Sequence, residues 1–221
     1  MNWLLTCEHY ANTVPLQYQS LFNNAKDVLD SHRGYDKYIA PLYESLKDRF
    51  DASFHYPYTR LLIEPNRSLH HRHLFSPFSI QLSKNERMDL ITDYYQPYRN
   101  QVIEQIKQFN QDQTIHISVH SFTASLGNQN RTAPIGLLFD SRKKPERAIA
   151  DIWKQLIRKE SDAQVRFNYP YRGAADGFTT FLRKEFKEHY LGFELEVRND
   201  CVATLSEQII SSITELRLTL S

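Results

Sequence analysis

The chain has 221 residues, 41% of them hydrophobic and 24% charged, with 27 basic residues against 26 acidic ones. That balance excludes a chain kept disordered by low hydrophobicity and high net charge, and it leaves no basic surplus for gripping a phosphate backbone. Two cysteines, Cys7 and Cys201, far apart and without a C-x-x-C pattern, exclude a disulfide scaffold. No run approaches the roughly 18 apolar residues of a membrane span, and no basic lead with a long apolar segment opens the chain. The expectation is one cytoplasmic domain over residues 1–221, with neither nucleic acid nor membrane as partner.

"NWLLTC" reads as a strand, and "PLQYQSLFNNAKDVLDS" as a loop leading into a short helix. In "GYDKYIAPLYESLKDRF" the apolar positions Tyr38, Ile39, Leu42, Leu46 and Phe50 recur every three to four residues, which predicts a helix. "SFHYPYTRLLIEPNR" reads as two strands around Pro57, the second being "RLLIE" stopped by Pro65. "SLHHRHLFSPFSIQLS" has no period and two turn signals, so it is a long loop. "KNERMDLITDYYQPYRNQVIEQIKQFNQ" is helical on both sides of Pro97, whose ring kinks or starts a helix.

"TIHISVHS" alternates Ile115, Ile117 and Val119 with Thr114, His116 and Ser118, a strand ending near His120. "APIGLLFD" is a further strand, "KPERAIADIWKQLIRKE" a helix, and "AQVRFNYPY" a strand entering a Pro turn. A Gly-rich loop and helix follow in "RGAADGFTTFLRKEFK", then the strand "YLGFELEVRND" and a closing helix in "DCVATLSEQIISSITELRLTL". Strands alternating with helices imply an α/β fold, a mainly parallel or mixed sheet with helices on both faces.

In open α/β sheets, ligands bind beyond the carboxyl ends of the strands. His9, His120 and Glu196 stand at three such ends and are expected to converge. Two imidazoles and one oxygen donor make a catalytic zinc arrangement with a position left for water, and Asp36, Glu8 and Asn12 are candidates for the oxygen. Glu194 and Glu196 share a strand face, and two buried carboxylates there call for a metal or arginines. Asn66 beside Arg67 suits two-point capture of a carboxylate, and Arg60 suits polarising a carbonyl. The blander reading of Arg67 is a surface ion pair with Glu64 or Glu86. Arg131 and Arg172 are secondary substrate-binding candidates, and His70, His71 and His73 read as a solvated patch.

The segments "TCEHYANTVP", "YTRLLIEPNR", "YYQPYR", "SVHSFTA", "NRTAPIGLLFD", "NYPYRGAADG" and "FELEVRND", in that order, resemble the N-formylglutamate amidohydrolase family over nearly the whole chain. That family is similar to the zinc carboxypeptidases and aspartoacylase-type deacylases, which implies a phosphorylase/hydrolase-like fold. The order of functional residues in those relatives implies metal ligands His9 and His120, an oxyanion-stabilising Arg60, a carboxylate anchor in Asn66 and Arg67, and a general base in Glu196. The carboxypeptidase relatives have a glutamate ligand where this chain has Asn12, and the resemblance assigns the third ligand to Asp36 of "GYDKY". Arg99 stands where many members have a histidine. The resemblance thus implies a Zn2+ hydrolase that cuts an N-acyl amino acid such as N-formylglutamate, a small carboxylate substrate. The alternatives are a carboxylate-binding protein without catalysis on the same fold, and a metallopeptidase for short peptides with the "SLHHRHLFSPFS" loop shaping its cleft.

Overall fold

The structure, a computed structural model, describes residues 1–109 and 112–221. The run "NWLLTC" forms β1, Asn2–Cys7, buried along all but its first residue. A 3-10 turn, Leu16–Phe22, leads to the short α1, Lys26–Leu29, and α2, Ile39–Leu46, precedes β2, Ala52–His55. After a long loop, α3, Lys84–Leu90, passes through a π turn, Ile91–Tyr95, into α4, Gln96–Gln108. The rest comprises β3 (Thr114–Phe122), a small hairpin of β4 (Ser125–Leu126) and β5 (Gln129–Asn130), β6 (Ile135–Leu138), α5 (Lys144–Glu160), β7 (Val165–Phe167), α6 (Phe178–Phe186), β8 (Tyr190–Arg198) and α7 (Val202–Leu220).

The main sheet has the order β2-β1-β3-β8-β6-β7. Neighbours from β2 to β8 pair in parallel, β6 runs antiparallel to β8, and β7 is parallel to β6. The sheet is therefore mixed and mostly parallel, with helices on both faces. Side-chain alternation divides the central strands cleanly. Trp3, Leu5 and Cys7, then Ile115, Ile117 and Val119, then Leu191, Phe193, Leu195 and Val197 pack against α2, α5 and α7. The opposite face of these strands is largely polar, and beyond it a second core joins Leu4 and Tyr190 to Val102 and Ile106 of α4, Phe178 and Leu182 of α6, and Leu61, Leu62 and Ile63.

"RLLIE" is not a strand. Its residues form turns whose backbone groups bond to other loops, Arg60 N–H to Gly34 O (3.3 Å) and Glu64 N–H to Leu74 O (2.9 Å), and the preceding Thr59 N–H bonds to Thr13 O (2.9 Å). The three apolar residues are buried as a strand's would be, but they serve the second core from a turn. Tyr38 does not join the α2 stripe. It is 61% exposed and stands before the helix with φ 67°, whereas Ile39, Leu42 and Leu46 are buried. Pro97 sits in the first turn of α4, directly after the π turn. Asn110 and Gln111, at the end of the predicted helix, lie outside the described residues. No helix among the described residues is long and apolar enough to cross a membrane.

Candidate metal centre

Four parallel strands end on one edge of the sheet, and the loops beyond them enclose a cavity of about 320 Å³. His9 follows β1, while His120 on β3 and Glu196 on β8 are direct register partners near the carboxyl ends of their strands. Asp36 arrives from the loop before α2. Its N–H donates to the His9 carbonyl at 3.0 Å, so the main chain itself holds residue 36 against the end of β1.

The Nδ1 atoms of His9 and His120 lie 3.2 Å apart, and one oxygen of Asp36 lies 3.4 and 2.9 Å from them. All three residues are buried. Each imidazole is braced from behind. Nε2 of His9 is 2.6 Å from Glu64, and Nε2 of His120 is 2.8 Å from the Ser118 hydroxyl, which donates to Glu8. Tyr98 donates to the other Glu8 oxygen at 2.8 Å. A proton on Nε2, taken up by such acceptors, leaves the Nδ1 lone pair directed at the cluster.

The electrostatics follow from these contacts. Burial opposes ionisation of Asp36, but the charge of His9 and the hydrogen bonds from His120 and His9 hold its carboxyl well below the usual range. Glu64, against its burial, is held down by Arg60 and His9, and Glu8 by His120 and Ser118. Burial works against protonation of His120, yet its bonds to Asp36 and Glu8 raise its pKa well above the ordinary value. Without a cation, a proton is thus drawn to the place where the donors meet. Two imidazole nitrogens and a carboxylate oxygen suit a borderline-soft divalent ion, zinc above all, and the residues fit it.

Glu196 is 4% exposed, and its Oε2 has no hydrogen-bond partner among the described residues. Burial first, and then the charges of Asp36 and Glu194 against the opposing His120, push its carboxyl up to about 8. Glu194 lines the same cavity and accepts from the Thr179 hydroxyl at 2.6 Å. Arg60 donates to Glu64 at 2.7 Å and approaches Asp36 at 3.6 Å. Asn66 Oδ1 accepts the Phe178 N–H at 2.6 Å and so caps α6 from outside the helix. Gly177 makes room for that cap, since a Cβ there would lie 3.1 Å from the Asn66 oxygen. Arg67 donates to the Asp176 carbonyl at 2.6 Å rather than forming an ion pair with Glu64 or Glu86.

His9, Asp36, Arg60, Asn66, Arg67, His120, Arg172 and Glu196 therefore line one cavity. Arg131 does not. It lines a neighbouring cavity that shares Asp36 and Arg60 with the first. Asn12 is outside as well, its amide donating to Leu29 O (3.1 Å) and Asp30 (2.9 Å). Glu8 braces His120 instead of joining the donors, and His70, His71 and His73 line neither cavity. Sequence reasoning missed Glu64 as the brace of His9, although a carboxylate between the apolar "LLI" and Pro65 was a signal. It also passed over Ser118, which alternation puts on the face of His120.

A family model described as N-formylglutamate amidohydrolase matches residues 1–203. The chain belongs to the N-formylglutamate amidohydrolase family. Among solved structures, a gene product of Agrobacterium tumefaciens is 25% identical at TM-score 0.80, with 99% of this chain and 89% of that one covered. An N-formylglutamate amidohydrolase from Ralstonia eutropha JMP134 is 16% identical at TM-score 0.68, with 99% and 92% covered, a likeness of fold. A comparison with curated proteins finds no match. Membership of the N-formylglutamate amidohydrolase family agrees with the resemblance carried by the seven sequence segments.

Proposed function

We propose that residues 1–221 act as one catalytic domain, a zinc-dependent amidohydrolase that cleaves the amide bond of an N-acyl amino acid such as N-formylglutamate. The observation that carries this reading is the meeting of the His9 and His120 Nδ1 atoms with the Asp36 carboxylate, beside a buried Glu196 oxygen without a partner. Bound there, zinc supplies Lewis-acid chemistry that makes water a competent nucleophile near neutral pH.

In this reading the other steps belong to the chain. Glu196, buried beside the donor cluster with an oxygen aimed into the cavity it lines, takes the proton of the attacking water and passes it to the leaving amine. Arg60, fixed in direction by Glu64, donates to the oxygen of the scissile carbonyl as charge builds on it. The Asn66 amide nitrogen and the Arg67 guanidinium hold the substrate carboxylate, and Arg172 adds positive charge to the same wall. Asp36 and the backing groups keep the two rings in place while the substrate comes and goes.

The cavity is lined by Asn66 and Arg67 but by none of residues 69–83, which weighs against the long loop as a wall of a peptidase cleft. Formate release from N-formylglutamate by zinc-loaded protein, with and without a chelator, tests the reading. Turnover abolished by the chelator and restored by zinc is the expected result. Zinc-loaded protein inert towards formyl and acetyl amino acids alike refutes it.

A further inference from the structure

We propose that the second cavity binds an anionic end of the acyl group, so that the preferred substrates are N-acyl amino acids whose acyl chain carries its own carboxylate. This rests on the hydrolase reading of the metal centre. The cavity has a volume of about 300 Å³ and shares Asp36, Arg60, Ser121 and Tyr171 with the first. The donor cluster thus lies at the seam between two chambers. An amide bond placed over that seam, with its amino-acid carboxylate towards Asn66 and Arg67, directs its acyl chain into the second chamber.

Beyond the seam, that chamber offers positive charge: apart from Asp36, no carboxylate among the described residues lines it. Arg131 is 8% exposed, yet no carboxylate among the described residues lies within ion-pair distance of it, and its guanidinium donates only to the Tyr171 hydroxyl, at 3.2 Å. It lies over aromatic rings, 5.1 Å from the centroid of Tyr171 and 5.8 Å from that of Phe122. Of the other buried arginines, Arg183 pairs with Glu146 at 2.8 Å, while Arg99, also without an ion-pair partner among the described residues, donates to the Pro65 carbonyl at 3.0 Å and lines neither cavity. A buried cation lacking an anion is costly, and a ligand carboxylate facing Arg131 would offset that cost. Arg33 lines the same chamber, and so does His32. Burial first, and then the charges of Arg33, Arg60, Lys37 and Arg131, lower the pKa of His32, as a positive field would. Hydrolysis of such a substrate consumes one water, breaks the amide C–N bond, and releases the amino acid and a dicarboxylate.

The test compares kcat/KM of the zinc-loaded protein for N-succinylalanine and N-butyrylalanine, whose acyl chains differ by a carboxylate in place of a methyl group. The expected result is an advantage of about tenfold or more for the succinyl substrate, lost in Arg131→Gln. Equal rates in the wild type overturn the proposal, as does an advantage that survives Arg131→Gln; the wild-type comparison stands even if the variant fails to fold. N-formylglutamate against N-formylglutamine reports the other side of the amide. If Arg131→Gln erases that preference and leaves the acyl preference intact, Arg131 reads the amino acid and the proposal falls. If no amide is cleaved at all, the hydrolase reading fails separately, and calorimetry with succinate and butyrate decides the anion site. Succinate bound more tightly than butyrate by the wild type and not by Arg131→Gln upholds an anion site there; equal binding removes it.

Discussion

Glu196 and Glu64 make opposite uses of a buried carboxyl. Glu196 has an unpartnered oxygen and a carboxyl pushed up to about 8 by burial, while Glu64 is held ionised by Arg60 and His9. In the metal-free protein, folded Glu196 keeps its proton between its ordinary range near 4.5 and about 8, where the unfolded chain has released it. Stability therefore falls as pH rises through that window. Glu196→Gln removes the penalty, so its melting temperature relative to wild type should rise by at least about 3 °C from pH 5 to pH 9; a difference independent of pH would show that Glu196 ionises freely. With zinc bound, the same variant should retain the metal and lose on the order of a hundredfold or more in kcat. Glu64→Gln should instead weaken zinc binding roughly tenfold to a hundredfold, read by equilibrium dialysis, because a neutral amide replaces the charged acceptor that orients and polarises His9. At this scale the sequence shows side chains at strand ends, which is why the meeting of His9 and His120 was legible. It does not show which distant group braces a ring, and Glu64 lies 55 positions from His9.

Between elements, the joint that matters most to the cavity is Asn66 with α6. One side chain both caps the helix through Oδ1 and lines the cavity. Asn66→Ala should cost about 1 kcal/mol of stability in denaturant unfolding. Asn66→Asp keeps an acceptor for the Phe178 N–H but loses the amide donor, so it should preserve stability while raising KM; an unchanged KM would take Asn66 out of substrate binding. Arg99 supports the same turn, donating to the Pro65 carbonyl and lying 4.2 Å from the Phe178 ring centroid. Strand alternation made β1, β3 and β8 readable, since Trp3, Leu5 and Cys7, then Ile115, Ile117 and Val119, then Leu191, Phe193, Leu195 and Val197 fall on one face. "RLLIE" misled because an apolar run reports burial and not the direction of backbone hydrogen bonds, which here go to loops. The small hairpin of β4 and β5 gave no signal because both strands are exposed and two residues long.

Across the whole molecule, the parallel strands gather Glu8, Asp36 and Glu64 at one edge, all held well below their ordinary pKa values by the histidines and, for Glu64, by Arg60. Such groups contribute stability above the ordinary carboxylate range and lose it as pH falls through and below that range. The fold class followed from strands alternating with helices, and the family from seven segments in order, because both are properties of the chain as a line. The cavities are not, since loops after β1, β2 and β7 build them together. A divalent ion at this edge must displace the proton on His120, so its affinity should tighten with rising pH, by about tenfold per unit while one proton is released. The most direct measurement is calorimetric titration of zinc into metal-free protein at pH 8, with wild type beside His120→Ala. Binding of one ion per chain by the wild type, weakened on the order of a hundredfold or more by the substitution, is the predicted result. A wild type that binds no zinc, or a variant that binds it equally well, would contradict a metal centre built on His9, Asp36 and His120.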